Sequence, residues 1–284
     1  MTQPGRLDRA FIAISGPDAR SFLNNLLTQD LAPLVSASDA SSFVRALRAP
    51  NAVAVLYGAL LSPQGKVICD MLIWPQLNGV VLDVDPSRSA DLLRRLTMYK
   101  LRAQVEISDS TIATMRVWSP TEFQNGVRDP RLSALGWIKL AARDAAESFD
   151  EAYRAQRIAL GVPDLAHDAQ PEEVFAGEAL LEELHGVDFQ KGCFVGQENV
   201  SRMKRRATTR KKFCPIVFND EAPAPGAAIV AGAAEIGTVR TGAPGRAIAL
   251  VRLDRALGAE LTVDGRPVQL DPPPWLVLPQ GEQG

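Results

Sequence analysis

The residues best able to do nucleophilic or metal chemistry in this chain are three cysteines and two histidines. Cys69, Cys193 and Cys214 are odd in number and far apart, which fits neither a disulfide framework nor a zinc pattern such as C-x-x-C. We therefore expect reduced thiols and no resident metal. His167 and His185 are too few for a histidine-rich metal site, and we expect them to be structural or solvated.

Cys193 stands out because it lies in the segment K-G-C-F-V-G-Q-E, residues 191–198. Gly192 and Gly196 permit tight turns, so we expect the cysteine on a constrained loop that reagents can reach. A helix start after Gly196 and the nearby Lys191 would favour the thiolate, the form that attacks electrophiles and binds metals. The alternative is a small buried hydrophobic residue, which is the more frequent role of a cysteine.

The elements that would position this segment are predicted from apolar spacing, caps and turn formers. Helices are predicted at 19–27, 86–98 with Asp85 as its cap, 150–160 and 178–184. Strands before residue 205 are predicted at 52–61, 67–74, 80–84, 104–107, 111–118 and 137–140. The first two flank the turn at 62–65, so they predict a buried antiparallel hairpin, with Asp70 as one polar interruption.

The character of the chain changes from residue 207 onward. Short apolar runs at 214–218, 234–240, 247–251 and 275–278 alternate with turns rich in proline and glycine, a pattern typical of a small all-β domain. We therefore predict a mixed α and β domain over residues 1–205 and a β domain over residues 206–284.

Bulk properties restrict the class of protein. Hydrophobic residues make up 46% of the chain and the net charge is −2, which is typical of a globular protein without an overall bias toward nucleic acid or membranes. No apolar run approaches the roughly 20 residues that cross a bilayer. The first ten residues carry no leader pattern, so we expect a cytoplasmic protein.

The segment 191–198 resembles the K-G-C-[FY]-x-G-Q-E signature of the YgfZ family, whose lysine and cysteine are regarded as functional. Further matches occur in the same order along the chain: LNNLLTQDL at 23–31, LSPQGKVICD at 61–70, YKLRA at 99–103 and RIALGVP at 157–163. This resemblance implies an α+β protein, with a folate-binding, T-protein-like α/β domain of antiparallel sheets followed by a small C-terminal β-barrel. It also implies functional roles for Lys191 and Cys193.

The same resemblance implies tetrahydrofolate as a ligand, bound in a central pocket within residues 1–205. By position, the candidate contributors to that pocket are Asp70, Asp83, Tyr99 and Gln197, and we expect the thiol of Cys193 at its mouth. Each has an ordinary alternative. Asp70 could satisfy a strand backbone, Asp83 could lie at a sheet edge, and Tyr99 could be part of the core.

The chain departs from the T-proteins of glycine cleavage, which belong to the same superfamily and transfer an aminomethyl carbon to tetrahydrofolate. Cys69 and Asp70 stand where those proteins show two adjacent aspartates, and Ala159 stands where they show a pterin-binding glutamate. An alanine cannot accept the paired N–H donors of a pterin, and positioned acids supply proton transfer. The sequence therefore argues against T-protein chemistry and leaves open whether the chain is an enzyme.

A basic cluster follows the cysteine segment. Seven of the eleven residues 202–212 are lysine or arginine: Arg202, Lys204, Arg205, Arg206, Arg210, Lys211 and Lys212. Such a field attracts polyanions, whether a nucleic acid, a polyglutamyl folate tail or an acidic protein. The alternative is a solvated helix face, because no aromatic residues for base stacking are interleaved.

Three hypotheses follow. The first is an accessory factor for assembly or repair of iron–sulfur enzymes that binds folate and acts through Cys193, with those enzymes or cluster carrier proteins as partners. The second is a tetrahydrofolate-dependent aminomethyl or one-carbon transferase. The third is an RNA-binding factor in tRNA modification, in which the cluster 202–212 contacts RNA.

Overall fold

The computed structural model describes residues 4–35, 53–110, 115–141, 147–206, 209–219 and 221–279. The helices of these ranges are α1 (Ala19–Asn24), α2 (Pro86–Lys100), α3 (Asp150–Leu160), α4 (Leu165–Asp168), α5 (Gln197–Arg206) and α6 (Leu253–Ala256). Before the barrel, the strands are β1 (Gly5–Leu7), β2 (Ala10–Ser15), β3 (Leu56–Leu61), β4 (Val67–Gln76), β5 (Gly79–Val84), β6 (Glu106–Asp109), β7 (Met115–Ser119), β8 (Val127–Arg128) and β9 (Trp137–Ala141).

A five-stranded antiparallel sheet forms the centre of the first part of the chain. Its order is β3-β4-β5-β2-β6, and a second sheet has the order β1-β7-β9-β8. Every residue of β5 is buried, because apolar clusters cover both faces of the five-stranded sheet. The predicted hairpin is confirmed: β3 pairs with β4, and Gly65, at φ +80°, permits the turn between them.

Helix ends follow the predicted capping chemistry. The carboxylate of Asp85 accepts a hydrogen bond from Ser87 N, and Pro86 opens α2. Helix α3 ends where Gly161 adopts φ +77°. The predicted helix at 178–184 is wrong: this stretch is a series of turns, because Leu180 adopts φ +61°, a left-handed conformation that interrupts a right-handed helix.

The strand predictions of the middle region are partly displaced. The strand predicted at 104–107 lies two residues later, at β6. Of the strand predicted at 111–118, the described portion is β7, and residues 111–114 lie outside the described residues. The strand predicted at 137–140 is confirmed as β9.

The C-terminal part forms a closed six-stranded barrel in the order β10-β13-β12-β11-β14-β15. Its strands are β10 (Lys211–Val217), β11 (Ala228–Ala231), β12 (Ala234–Ala243), β13 (Arg246–Arg252), β14 (Leu261–Val263) and β15 (Arg266–Leu270). The predicted fold class is confirmed. The strand predicted at 275–278 is wrong, because this stretch is a turn that follows three prolines, 272–274. The domain boundary at 205/206 stays a prediction.

A buried ion pair connects the helices to the barrel. Arg157 on α3 donates from Nη1 to Oδ2 of Asp168 at 2.9 Å, and both side chains are buried. The other carboxylate oxygen of Asp168 accepts from the amide and the hydroxyl of Thr241 on β12, at 3.0 and 2.6 Å. Because a carboxylate with several donors has its lone pairs satisfied, this contact fixes the barrel beside α3.

Candidate functional site

The loop that carries Cys193 rests on a segment that covers the edge strand β3. Thr28, which is fully buried, donates its hydroxyl to the carbonyl of Gly186 at 2.6 Å and accepts from the amide of Ala59 at 2.8 Å. Its backbone carbonyl accepts from the amide of Asp188 at 3.0 Å. One threonine therefore joins the edge strand to the start of the cysteine loop.

Lys191 anchors the next part of the loop. Its ammonium donates to three backbone carbonyls, those of Asn24 at 2.6 Å, Leu27 at 2.7 Å and Gln29 at 3.1 Å. Burial of the side chain lowers the pKa of Lys191 from 10.5 to about 8. The same ammonium lies 5.1 Å from the ring centroid of Phe194. These contacts position the loop around Cys193, and the catalytic role predicted for Lys191 stays a prediction.

The far end of the loop packs on the turn between β3 and β4. A Cβ at Gly196 would lie 2.5 Å from the carbonyl oxygen of Ser62 and 3.0 Å from Cα of Gly65, so only glycine permits this approach. Cys193 itself is exposed and free, and a Cβ at Gly192 would meet open space. Three sequence motifs, at 23–31, 61–70 and 191–198, thus meet at the loop that carries the accessible thiol.

A separate cavity of about 580 Å³ lies between the first strands, α3 and the barrel. Its lining includes Arg9, Arg116, Arg157, Tyr153 and Asp164. No residue of 191–198 is part of that lining. We expected the thiol at the mouth of a pterin pocket, and the structure does not bring the two together at this cavity.

Asp83 organises the arginines of this cavity. Its fully buried carboxylate accepts from Arg9 Nε at 2.7 Å and from Arg116 Nη1 at 3.2 Å. The indole of Trp74 lies within 3.4 Å of the same group. Asp83 therefore holds two cavity arginines in place, and Nε of Arg116 is a buried donor without a partner among the described residues.

Asp70 lies half-buried on β4. Burial and the neighbouring Asp164 raise the pKa of Asp70, and the guanidinium groups of Arg9 and Arg131 only partly oppose that shift. The hydroxyl of Tyr57 donates to its Oδ2 at 3.0 Å. A carboxyl group with a raised pKa can hold and release a proton closer to neutrality than an ordinary aspartate.

The pKa of Asp164 is shifted in the opposite direction to that of Asp70. Burial disfavours its charge, but a hydrogen bond from His167 and the guanidinium groups of Arg157 and Arg9 outweigh that cost and hold the pKa of Asp164 well below its usual range. Nδ1 of His167 lies 3.2 Å from Oδ2 of Asp164. The hydrogen bond to Asp164 raises the pKa of His167 above 6.5. Two carboxyl groups of this region thus differ in proton affinity, the arrangement that acid–base chemistry uses.

None of the four residues predicted to contribute to the folate pocket lines this cavity: Asp70, Asp83, Tyr99 and Gln197. Tyr99, at the end of α2, packs against the apolar cluster on one face of the five-stranded sheet. Asp70 lies on the same face of β4 as Leu72, whose side chain belongs to the other cluster. Gln197 is the first residue of α5 and lies next to the cysteine loop. Ala159 is exposed and is not among the residues that line the cavity.

Sequence reasoning missed several residues of both sites. Thr28 contacts Gly186, which is 158 positions away in the chain. No local sequence pattern predicts a contact over that separation. Arg116 lies on strand β7, and Asp164 is the N-cap residue of α4. Neither residue belongs to a recognisable sequence motif. The only signal for Thr28 was its place within the motif at 23–31.

The described residues contain no group of three or more cysteine, histidine or acidic side chains that could hold a metal ion. Within the same ranges, no helix is long and apolar enough to cross a membrane.

The cavity is chemically suited to the folate that the family resemblance implies. Its volume lies within the roughly 300–1,000 Å³ of small-molecule pockets. Tyr153 offers an aromatic wall, Asp164 a carboxylate acceptor for N–H donors, and the unpartnered Nε of Arg116 a donor. Those groups could bind a pterin edge and the carboxylates of a glutamate tail.

Comparison with solved structures shows that the fold of nearly the whole chain resembles that of a known protein. The structure is similar to that of an aminomethyltransferase T of the glycine cleavage system from Bartonella henselae. The match covers 97% of this chain and 87% of that protein, with a TM-score of 0.74 and 15% sequence identity. Residues 210–278 match the CAF17 C-terminal beta-barrel domain. The first likeness shows the fold alone.

Three relatives found by sequence similarity carry the name of one kind of protein. The mitochondrial iron–sulfur cluster assembly factor IBA57 of Homo sapiens is 29% identical, over 89% of this chain and 78% of that protein. IBA57 homologues of Pyricularia oryzae and Phaeosphaeria nodorum are 28% and 30% identical. The chain spans 57% and 54% of the length of these two fungal proteins.

The chain is similar in sequence to the IBA57 proteins. This similarity accompanies the fold of an aminomethyltransferase T and a match of residues 210–278 to the CAF17 C-terminal beta-barrel domain. The predicted cytoplasmic location is wrong on this comparison, because the IBA57 relatives are labelled mitochondrial. The composition of ten N-terminal residues was an insufficient basis for a location.

Proposed function

We propose that this chain is an iron–sulfur cluster assembly factor and that Cys193 is the residue that acts on the cluster. The observation that carries the proposal is the accessible thiol of Cys193 on a loop held by Lys191 and Thr28. Its relatives are named iron–sulfur cluster assembly factors, and a thiol is the side chain that binds the iron of such clusters.

The cluster in this proposal is cargo shared with a partner protein. A cluster needs about four protein ligands, and no group of three metal-binding side chains occurs in the described residues. Cys193 would therefore supply one ligand and a partner would supply the others. On binding, the sulfur of Cys193 forms a bond to iron as one thiolate of the partner leaves it, and the proton released by the Cys193 thiol is matched by the proton that the departing thiolate takes up.

Tetrahydrofolate is the ligand proposed for the cavity. The support is the chemistry of its lining: Tyr153, Asp164 and the unpartnered Nε of Arg116. Because the cysteine loop does not line this cavity, folate in this proposal binds apart from the thiol. A folate titration of wild type and Cys193→Ala should therefore give the same affinity for both.

A complementation experiment tests the role of Cys193. Cells that lack their own homologue would express wild type, Cys193→Ala or the neighbouring control Gly192→Ala, which meets open space. The activity of a [4Fe–4S] dehydratase is the readout, with the amount of soluble protein measured alongside. We expect Cys193→Ala to fail and Gly192→Ala to restore activity. Full activity with Cys193→Ala would defeat the proposal.

A second candidate is tetrahydrofolate-dependent one-carbon transfer. The observation that favours it is the pair Asp70 and Asp164, whose pKa values are shifted in opposite directions, as in acid–base sites. Purified protein with tetrahydrofolate and amine donors should then turn over, and Asp70→Asn should abolish turnover. Absence of turnover with every donor would remove this candidate.

A further inference from the structure

The structure divides the seven bases of residues 202–212 into two groups. Three of them are paired with acidic side chains of the protein itself. These pairs are Lys204 with Glu182 at 2.8 Å, Arg210 with Asp254 at 4.0 Å, and Lys212 with Glu183 at 2.5 Å. Their charge is largely neutralised internally, so the field of the cluster comes from the remaining bases.

Three of the four remaining bases lie on the outward face of α5, and the fourth, Lys211, is half-buried on β10. Arg202, Arg205 and Arg206 are exposed, and their spacing of three and four residues places them on one side of the helix. The opposite side carries Val200, which is buried. Arg202 contacts Asn199 of the same helix at 2.5 Å.

The arginine face follows the exposed thiol of Cys193 closely along the chain. Helix α5 begins four residues after Cys193 and has ten residues, so it is roughly 15 Å long. A protein interface of about 800 Å² per partner is roughly 30 Å across. An interface of ordinary size is therefore wide enough to span the helix and reach Cys193.

We propose that the outward face of α5, formed by Arg202, Arg205 and Arg206, is the docking surface for an acidic face of the protein that brings the cluster to Cys193. This inference rests on the proposed function and adds the chemistry of the partner. Complementary charge steers association and fixes the orientation of two proteins, so the face would present the partner's cluster to the thiol.

The surroundings favour a protein over an RNA. Binding of single strands combines basic residues with aromatic rings on which bases stack. The ring of Phe189 is covered by the ammonium of Lys204, 3.5 Å from its centroid, and Phe194 is buried.

A binding experiment with a defined acidic probe tests the proposal. The probe is a fluorescent poly-L-glutamate peptide of about 20 residues, measured by anisotropy at 0.15 M salt against a uridine oligonucleotide of equal charge. We expect Arg205→Glu with Arg206→Glu to weaken peptide binding by about tenfold, and added salt to weaken wild-type binding. The control double variant is Arg102→Glu with Arg266→Glu, two exposed bases elsewhere, and we expect less than a twofold effect.

A second readout locates the bound peptide. The peptide should slow alkylation of Cys193 by iodoacetamide in wild type and not in the Arg205→Glu, Arg206→Glu variant. Equal peptide affinity in the two double variants, no protection of Cys193, or RNA that binds tenfold more tightly than the peptide would each overturn the docking surface.

The complementation experiment distinguishes failure of the docking surface from failure of the proposed function. In the complementation experiment, Arg205→Glu with Arg206→Glu should lower dehydratase activity, whereas the control double variant should not. If Cys193→Ala fails and the α5 variant restores full activity, the docking surface is wrong and the function stands. Full activity with Cys193→Ala defeats the function, even if the peptide binds.

Discussion

The ammonium of Lys191 lies 2.7 Å from the carbonyl oxygen of Leu27, and this contact fastens the cysteine loop to the segment that follows α1. The carbonyls of Asn24 and Gln29 accept from the same ammonium. In Lys191→Met these acceptors lose their donor, and an unpaired buried acceptor costs about 1–3 kcal/mol. We expect a decrease of about 2 kcal/mol in the free energy of unfolding, measured in urea.

The matched control for that prediction is Lys204→Met. Lys204 also forms an ion pair, with Glu182, but both side chains are substantially exposed, and such surface pairs contribute about 0–1 kcal/mol. Hydrogen exchange should be faster for the amides of residues 24–29 only in Lys191→Met. Equal stability of the two variants would contradict the anchoring role of Lys191.

Thr28 gives a second prediction about the same loop. Thr28→Val keeps the shape of the side chain but removes its hydroxyl. That hydroxyl donates to the carbonyl of Gly186 and accepts from the amide of Ala59. Two buried backbone groups would be left unpaired, so we expect a loss of about 3 kcal/mol in unfolding free energy. The control Thr97→Val, on the exposed side of α2, should change stability by less than about 0.5 kcal/mol. Similar losses in both variants would contradict the prediction.

The sequence predicted the local features of this fold better than its long-range contacts. The hairpin and the start of α2 followed from turn and capping residues close together in the chain. Lys191 and Cys193 were found because they share one motif. The contact of Thr28 with Gly186, in contrast, depends on how distant segments pack, and the left-handed Leu180 broke a helix whose apolar spacing looked regular.

The site was predicted as one pocket, and the structure resolves it into two places. Cys193 and Gln197 belong to the loop on the β3–β4 turn, while Asp83 holds the arginines of the cavity. Sequence motifs mark which residues matter but not the distance between them. That distance depends on the arrangement of two sheets and a barrel, which no local pattern encodes.

The three thiols should differ sharply in reactivity. Cys193 is exposed, whereas Cys69 and Cys214 are buried; burial raises the pKa of Cys214 to about 12 and that of Cys69 further. At pH 8 we expect iodoacetamide to modify one thiol rapidly in the folded protein and all three in guanidinium chloride. Cys193→Ala should remove the rapid reaction. Rapid modification of two or more thiols, seen by mass spectrometry, would contradict the burial of the others.

The contact of His167 with Asp164 predicts a specific pH dependence. The hydrogen bond to Asp164 raises the pKa of His167 above 6.5, so the pair stabilises the folded state below pH 6.5. That contribution is lost as pH rises through the raised pKa. Asp164→Asn removes the charge but keeps a residue able to cap α4. We therefore expect the titration midpoint of His167, followed by NMR, to fall toward 6.5 in that variant.

Stability measurements complete this prediction. The difference in unfolding free energy between wild type and Asp164→Asn should be larger at pH 6 than at pH 8, because His167 carries its charge only at the lower pH. His185 has no described contact with Asp164, so its resonance is the internal control. If the midpoint of His167 does not move in Asp164→Asn, another group sets its pKa, and the acid–base contrast assigned to Asp164 and Asp70 loses one of its supports.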